Sequence, residues 1–288
     1  MRYPISIQTF ETIIKEGYIY IDKTDLVYEL AQNHVCFLSR PRRFGKSLLL
    51  STLDAYFSGR KELFKGLKME ALEKNWEVYP VFRIDFSNGN YSKAGTLENI
   101  LNARVGEWEE IYGKSGERTE LSDRFEYVLS KACEKTGRKA VVLIDEYDKP
   151  MLDVLGEKQE EINRNILKGF YGTFKAADPY LRFVLLTGVT KFSQISVFSG
   201  FNQPCDISMV GKFDTICGIT EEELHTVFSE QIAEMAEDME CSVEELKEVL
   251  KKQYDGYHFS KRMIDIYNPF SIINAFYKMD IDDYWYSS

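Results

Sequence analysis

The chain of 288 residues lacks the features that mark membrane, exported and zinc-binding proteins. Its longest apolar runs are about five residues, such as 140–144, whereas a helix needs roughly 20 to cross a bilayer. Residues 1–20 show no basic start followed by an apolar stretch, so no signal peptide is predicted. The three histidines and five cysteines are scattered without a Cys-x-x-Cys pair, which argues against a structural zinc site. An odd cysteine count without an export signal indicates a reducing cytoplasm.

The charge is acidic overall but unevenly distributed. The chain has 36 Lys and Arg against 46 Asp and Glu, a net charge of −10, and its 44% hydrophobic content is that of a globular protein rather than a disordered one. Residues 221–250 hold eleven acids and one base, whereas the other 258 residues hold 35 of each. We interpret 221–250 as a solvated helical face that disfavours direct nucleic-acid binding, with a docking surface for a basic partner as the alternative.

Apolar runs alternate with amphipathic stretches along the first two thirds of the chain. Strands are predicted at 34–39, 81–86, 140–144 and 183–188, and helices at 24–32, from 48 onward, and at 96–111, 123–135 and 161–176. Strands that are apolar throughout and alternate with helices indicate an α/β fold with a mainly parallel sheet flanked by helices. Beyond this region the pattern becomes helical.

The last 70 or so residues carry helix signals only. Thr220 and Glu223 form a capping-box pattern that opens a helix, and further helices are predicted at 243–254 and 269–278. We therefore expect two units, an α/β core of residues 1–215 and a C-terminal helical, lid-like subdomain of residues 216–288.

The loop after the first predicted strand carries the strongest chemical signal. Gly45-Lys46-Ser47 stands between an apolar strand and an apolar helix, an arrangement that presents backbone N–H groups and a helix dipole to an anion. Lys46 is expected to neutralise the β- and γ-phosphates, and the Ser47 hydroxyl to bind Mg²⁺. The usual motif starts with a glycine five positions before Gly45, where this chain has Arg40. The predicted nucleotide-binding residues are Arg40, Pro41, Arg42, Arg43, Phe44, Gly45, Lys46, Ser47 and Leu48.

Two acids follow the most apolar of the predicted strands. Asp145 and Glu146 come directly after 140–144, at the carboxyl edge where ligands of parallel sheets bind. Asp145 is expected to hold Mg²⁺, and Glu146 to orient and polarise the attacking water. Asp85, at the end of the second strand, could join the Mg²⁺ shell, with a cap of the following turn as the alternative. A strand that leaves the core into a polar turn would explain the acids alone, but together with the phosphate loop they predict a site for ATP and Mg²⁺.

Six short segments with a distinctive sequence are spread along nearly the whole chain. They are Tyr20-Ile21-Asp22-Lys23-Thr24, Arg40-Pro41-Arg42-Arg43-Phe44-Gly45-Lys46-Ser47, Leu143-Ile144-Asp145-Glu146-Tyr147-Asp148, Leu186-Thr187-Gly188-Val189-Thr190-Lys191-Phe192, Tyr254-Asp255-Gly256-Tyr257-His258-Phe259 and Tyr267-Asn268-Pro269-Phe270. In these segments the chain resembles the bacterial AAA-ATPase-like family. The Arg-Pro-Arg-Arg-Phe-Gly-Lys-Ser form is specific to that group, so Arg40 follows its pattern.

The resemblance implies a P-loop ATPase with an extra strand between the phosphate-loop strand and the acidic strand. By this resemblance, Lys46 and Ser47 would bind phosphate and Mg²⁺, and Asp145 would also hold the metal. Glu146 would be the catalytic base. Thr187 would be the polar sensor, a role for which Thr190 and Lys191 are competing candidates. Members of the family often continue into a PD-(D/E)XK nuclease-like domain. This chain stops about where that domain would begin, so we expect a shortened form of a longer protein rather than a member without the domain.

Three functions are compatible with these patterns to different degrees. The leading hypothesis is an Mg²⁺-dependent ATPase that couples hydrolysis to movement of the helical subdomain. The alternative is a nucleotide-gated protein-binding switch with little hydrolysis, which the lack of an obvious arginine finger favours. A nuclease is disfavoured because Glu146 and Lys149 have the wrong spacing and no second acidic strand pairs with them. The expected partners are a nucleotide and either a protein or the nuclease-like domain, and no membrane partner is expected. No base-reading motif in the sequence decides whether ATP is preferred over GTP.

Overall fold

The computed structural model describes residues 2–190 and 204–284. Its centre is a five-stranded parallel sheet with the order β2-β3-β4-β1-β5. The strands are β1 (Val35–Ser39), β2 (Val81–Asp85), β3 (Ala140–Asp145), β4 (Leu181–Gly188) and β5 (Cys205–Asp206). The first four lie where the apolar runs predicted them, which confirms the α/β class. The short edge strand β5 has only two residues and no sequence pattern pointed to it.

The order of the strands sets which loops can meet. Strand β4 pairs with β1 on one side and with β3 on the other, so it separates the phosphate-loop strand from the acidic strand, as the family resemblance implies. Because the strands are parallel, the carboxyl ends of β1, β3 and β4 lie at one edge of the sheet. The loop after β1 and the acids after β3 are therefore brought together there.

Helices cover the sheet on both faces. They are α1 (Phe10–Lys15), α2 (Thr24–Leu30), α3 (Lys46–Phe57), α4 (Lys68–Leu72), α5 (Thr96–Tyr112), α6 (Leu121–Thr136), α7 (Lys149–Leu152) and α8 (Lys158–Ala176). Along β3, Val142 and Ile144 pack with α5, α6 and α8, whereas Val141 and Leu143 pack with α1 to α4. Neighbouring strand residues point to opposite faces, so a continuous apolar run is what a sheet covered on both sides requires.

The C-terminal part has its own apolar cluster, the third besides those on the two faces of the sheet. It contains α9 (Glu221–Val227), α10 (Ser229–Asp238), α11 (Val243–Tyr254) and α12 (Pro269–Lys278), with an antiparallel pair of β6 (Ile219–Thr220) and β7 (Ile266–Tyr267). The predicted capping box of Thr220 and Glu223 is formed at the start of α9. Helices α11 and α12 have the predicted bounds, whereas α10 and the strand pair were not predicted. None of the helices in the described part of the chain is both long and apolar enough to span a bilayer.

Candidate functional site

A cleft of about 780 Å³ opens beside the phosphate loop and Glu146. Its walls come from the phosphate loop, from the N-terminal segments 4–8 and 19–23, and from segments 216–219 and 269–274 of the C-terminal part. Its charged lining consists of the basic residues Lys23, Arg42, Arg43, Lys46 and Lys149 and the acidic residue Glu146. The cleft is therefore basic, although the chain as a whole carries a charge of −10.

The phosphate loop enters α3 through a left-handed residue. Gly45 is the N-cap of α3 with φ 89°, a conformation that glycine adopts without strain. Lys46 and Ser47 begin the helix, so their N–H groups belong to the first turn, whose donors have no acceptor within the helix. These donors, at a cleft lined by cations, form the type of site that binds an anion.

Lys46 is held underneath this loop. Its Nζ donates to the carbonyl oxygens of Arg40 at 3.0 Å and Pro41 at 2.9 Å. Burial lowers the pKa of Lys46, and the nearby carboxylates of Asp145 and Glu146 oppose that shift. The ammonium group thus lies between the loop and the acids that follow β3, where a phosphate bound by the loop would be in its reach.

Arg40, in the position usually held by glycine, has a buried side chain with only 1% of its surface exposed. Its guanidinium donates to the carbonyl oxygens of Ser39, Ser208 and Phe213 at 2.9, 2.8 and 3.1 Å and lies 3.9 Å from the centre of the Phe259 ring. Arg40 thus ties the loop to segments far along the chain. Of the nine residues predicted to bind nucleotide, those from Arg42 to Leu48 line the cleft, whereas Arg40 and Pro41 do not.

Asp145 and Thr187 are in direct contact at the end of β3 and β4. The Thr187 hydroxyl donates to Asp145 Oδ1 at 2.7 Å, and the Glu146 N–H donates to the same oxygen at 3.1 Å. Both Asp145 and Thr187 are buried. Of the competing sensor candidates, Thr190 uses its backbone N–H to contact Asp148, and Lys191 lies outside the described residues. The structure therefore brings Thr187, rather than Thr190, to the acidic strand.

Glu146 lines the cleft from a strained backbone position. Its φ of 52° is left-handed, which is uncommon for a residue other than glycine and is found where function requires a particular side-chain direction. Burial, and next the charge of Asp145, raise the pKa of Glu146, while Lys46 and Lys149 act against the shift. A carboxylate with a raised pKa is a better proton acceptor, as a general base requires.

Hard oxygen ligands for Mg²⁺ are present in Ser47 and Asp145. Mg²⁺ usually takes one or two protein oxygens and completes its shell with phosphate oxygens and water. Within residues 2–190 and 204–284 no group of three or more His, Cys, Asp and Glu side chains could hold a metal alone. The hydrogen bonds to Asp145 engage Oδ1, so a metal could be bound through the other oxygen. The chemistry of these oxygens suits Mg²⁺ bound together with a nucleotide; Ser47 lines the cleft, whereas Asp145 is buried and is not among the lining residues.

Asp85 has the more ordinary of its two predicted roles. Its Oδ1 accepts the N–H of Ser87 at 2.8 Å, so it caps the turn after β2. Asp148, for which the sequence suggested no role, is fully buried, and its Oδ2 accepts the N–H groups of Val189 and Thr190 at 2.9 and 2.6 Å. Asp148 therefore fixes the end of β4 just beyond Thr187. The one feature of the sequence that could have pointed to Asp148 is its position three residues after Asp145 in an acidic segment.

Lys23 is a cleft residue whose partner no sequence spacing could identify. Its Nζ contacts both carboxylate oxygens of Glu223, at 2.9 and 2.8 Å, across 200 positions of sequence. Burial lowers the pKa of Lys23, and the charge of Glu223 opposes that shift. Glu223 is the third residue of α9 and forms the capping box of that helix with Thr220. The ion pair with Lys23 therefore joins the N-terminal segment to the C-terminal part at the cleft.

Comparison with known proteins identifies the family of the chain. A family model described as "Predicted AAA-ATPase" (AAA-ATPase_like) matches residues 4–198. A protein of Azotobacter chroococcum mcd 1, described as an uncharacterized protein in the vnfD 5′ region, is 36% identical over 293 residues, covering 100% of this chain and 54% of that protein. The chain thus spans about half the length of the curated relative that it matches. With its parallel sheet and phosphate loop of the P-loop NTPase type, the chain belongs to the AAA-ATPase-like family of predicted AAA-ATPases.

Proposed function

We propose that the chain binds ATP in the basic cleft and hydrolyses it with Mg²⁺. The observation that carries this proposal is the lining of the cleft, in which Arg42, Arg43 and Lys46 stand with one carboxylate, Glu146, beside a glycine-led helix start. The two other cations of the lining, Lys23 and Lys149, are ion-paired with Glu223 and Asp153. A triphosphate is a multiply charged anion, which such a lining attracts. Glu146, which follows β3 and lines the cleft beside the loop, is the carboxylate that we assign to the terminal phosphate.

The proposed roles follow from the contacts of each residue. Lys46 and the first N–H groups of α3 hold the β- and γ-phosphates, and Ser47 and Asp145 would hold Mg²⁺, which when bound neutralises charge on the phosphate oxygens. Glu146 orients a water molecule and accepts its proton. As the water oxygen forms a bond to the γ-phosphorus, the bond from that phosphorus to the β–γ bridging oxygen breaks, and ADP and phosphate result. Thr187 acts through its hydrogen bond to Asp145 as a positioning residue.

We assign the nucleotide base to the apolar part of the lining of the same cleft. Its side chains include Ile5, Ile7, Ile19, Ile21, Ile219 and Ile273. A flat, weakly polar base is buried favourably against such side chains. Ser6, Gln8 and Asn274 lie among them and offer hydrogen-bonding groups that could distinguish adenine from guanine.

The division into a core of residues 1–215 and a lid-like subdomain of 216–288 is part of the proposal. Both parts supply walls of the cleft, and the third apolar cluster is built mainly from residues after 216, with Tyr3, Ile19 and Ile21 packed against it. Closure of the cleft around a nucleotide would therefore move one part against the other. We propose a protein or a C-terminal nuclease-like domain as the recipient of that movement, since the Azotobacter relative is nearly twice as long as this chain.

A nucleotide-gated switch with little hydrolysis is the second candidate. It is favoured by Arg40, because the buried arginine of the loop is committed to backbone carbonyls and cannot act as an arginine finger. Without an arginine supplied by a partner, phosphoryl transfer in related P-loop enzymes is slow. The switch would keep ADP or ATP bound and turn over negligibly even with partners present.

The experiment combines nucleotide titration with turnover. Labelled ATP, ADP and GTP are titrated with and without Mg²⁺, and phosphate release is measured for wild type, Glu146→Gln and Lys46→Ala, with the exposed Lys65→Ala as a control outside the cleft. We expect Glu146→Gln to retain binding and to lose about 10²-fold or more in turnover, and Lys46→Ala to lose binding. Equal background rates in wild type and both site variants would exclude hydrolysis. Absence of nucleotide binding by wild type would exclude both candidates.

A further inference from the structure

One arginine of the phosphate loop contacts the C-terminal helices directly. The guanidinium carbon of Arg43 lies 3.8 Å from the centre of the Phe270 ring. Phe270 is the second residue of α12, and both side chains line the cleft. The separation is well within the range of a cation–π contact. The loop that we propose to hold phosphate is thus joined to the helical part at the cleft itself.

The three arginines of the loop differ in how they are engaged. Arg40 is buried and donates to backbone carbonyls, as described above. Arg43 is exposed, and within the described residues its guanidinium makes no hydrogen bond or ion pair besides its contact with the ring. A ring face does not satisfy N–H donors, so the guanidinium on the ring still lacks the bidentate acceptor that a phosphate would supply. Arg42, its neighbour, lines the same cleft without an aromatic partner among the described residues.

We propose that the Phe270 ring and the phosphates of a bound nucleotide compete for the Arg43 guanidinium, so that nucleotide binding draws Arg43 away from the ring. This inference rests on the proposed nucleotide binding and names the residue that couples it to the helical part. Arg43 stands three positions before Lys46 in the same loop. A charged, forked contact with phosphate is stronger than a solvent-exposed ring contact, so the phosphate takes the guanidinium.

The Phe270 ring is positioned to pass this exchange on to α12. The Asn268 side chain accepts the N–H groups of Phe270 and Ser271 at 2.9 and 3.2 Å and so caps the helix at that point. Phe270 also packs against the third apolar cluster. Loss of the Arg43 contact therefore removes a restraint at the first turn of α12.

A second contact between the loop and the C-terminal part is expected to persist. Phe44 is 1% exposed, and its ring centre lies 4.6 Å from that of Tyr257 and 5.6 Å from that of Phe259. The Phe44 side chain, the buried member of this cluster, carries no donor that a phosphate could capture. The loop would accordingly stay attached at Phe44 while the contact at Arg43 is released, so that Phe44 acts as the pivot.

The test measures nucleotide affinity and amide hydrogen exchange in α12 on the same proteins. In wild type, ATP should speed exchange in the first turn of α12 because the restraint from Arg43 is lost. In Phe270→Leu, that turn should exchange at the faster rate already without ATP and should not respond to it. ATP should bind Phe270→Leu about two- to fivefold more tightly, because no ring contact has to be broken. Phe270→Tyr keeps a ring and should restore both properties.

Two arginine variants complete the design. Arg43→Lys should weaken ATP binding and abolish the exchange response, because lysine cannot form the forked contact. Arg42→Lys changes the adjacent guanidinium and should preserve the exchange response, whatever its effect on affinity.

The outcomes separate this inference from the proposed function. If wild type binds no nucleotide, both are overturned. If wild type binds ATP but the first turn of α12 does not respond, or responds equally in Phe270→Leu, the coupling through Arg43 is wrong while nucleotide binding stands. Weaker ATP binding by Phe270→Leu, with unfolding transitions matching wild type, would also contradict the exchange of partners.

Discussion

Replacing Arg40 by glycine would give the phosphate loop the residue that such loops usually carry, and from the motif alone the change should be harmless. The structure predicts the opposite. Arg40 is 1% exposed, and its guanidinium donates to the carbonyl oxygens of Ser39, Ser208 and Phe213 at 2.8 to 3.1 Å. Removing the side chain would leave the Ser39 and Ser208 carbonyls without this donor, whereas that of Phe213 would keep the N–H of Ile216; the contact with the Phe259 ring would also be lost.

The expected loss of stability can be bounded from these contacts. A buried polar group left without its partner costs about 1 to 3 kcal/mol. Water entering the vacated space would satisfy part of the need of the Ser39 and Ser208 carbonyls, so we take the low end for each, add the lost ring contact, and expect Arg40→Gly to lower the free energy of unfolding by about 2 to 3 kcal/mol. Arg40→Lys should lose less, because it retains the charge and one donor direction.

Urea unfolding of the folded chain, without nucleotide, measures this loss directly. Arg42→Gly is the matched control, because it makes the same substitution two residues away at an exposed arginine. It should cost about 1 kcal/mol or less, the backbone effect of glycine. If Arg40→Gly were no more destabilising than Arg42→Gly, the inference that the buried contacts of Arg40 stabilise the fold would be refuted.

Three further changes test the site and the helical part. Glu146→Gln should raise the free energy of unfolding at pH 7, because burial and Asp145 raise the pKa of Glu146 in the folded chain, so that the wild type loses stability as the pH rises from about 4.5 toward that raised pKa. Below about pH 4 Glu146 is mostly protonated in both the folded and the unfolded chain, and the gain should vanish. An equal gain at both pH values in urea unfolding would contradict the reasoning. Thr187→Val should cost about 1 to 2 kcal/mol by removing a donor to Asp145, and Thr187→Ser should recover most of it; equal thermal unfolding of all three proteins would show that the bond contributes nothing. Thr220→Ala should cost about 1 kcal/mol by removing the cap of α9, whereas Thr226→Ala, within the same helix, should be nearly neutral in the same calorimetric scan; similar losses for both would mean that the cap is not the cause.

Local patterns were sufficient to predict most of the elements. Strand β3 is apolar at every position from Ala140 to Ile144, and only a strand covered on both faces places such a run inside the protein. The capping box at Thr220 and the bounds of α11 were also readable, because caps and helix periodicity are properties of neighbouring residues. The short strands β5, β6 and β7 were not, since two-residue strands have no period to recognise.

The candidate site was readable in part for the same reason. The types and order of Gly45, Lys46, Asp145 and Glu146 indicated a phosphate loop and an acidic strand end before any geometry was known. That the Thr187 hydroxyl reaches Asp145 depends on β4 lying next to β3, which is a matter of strand order and not of spacing. No local pattern in the sequence indicates this strand order, and only the family resemblance implied it.

Contacts between distant segments were decided by the tertiary structure alone. The pairing of Lys23 with Glu223 spans 200 positions, and the stacking of Arg43 on Phe270 joins the loop to a helix near the other end of the chain. An arginine in a loop reads as solvated in any local pattern, yet Arg40 is buried because folding brings three backbone carbonyls and a ring to it. The sequence by itself determined which residues could bind a phosphate, whereas only the packing of the C-terminal part against the loop determined which of them are free to do so.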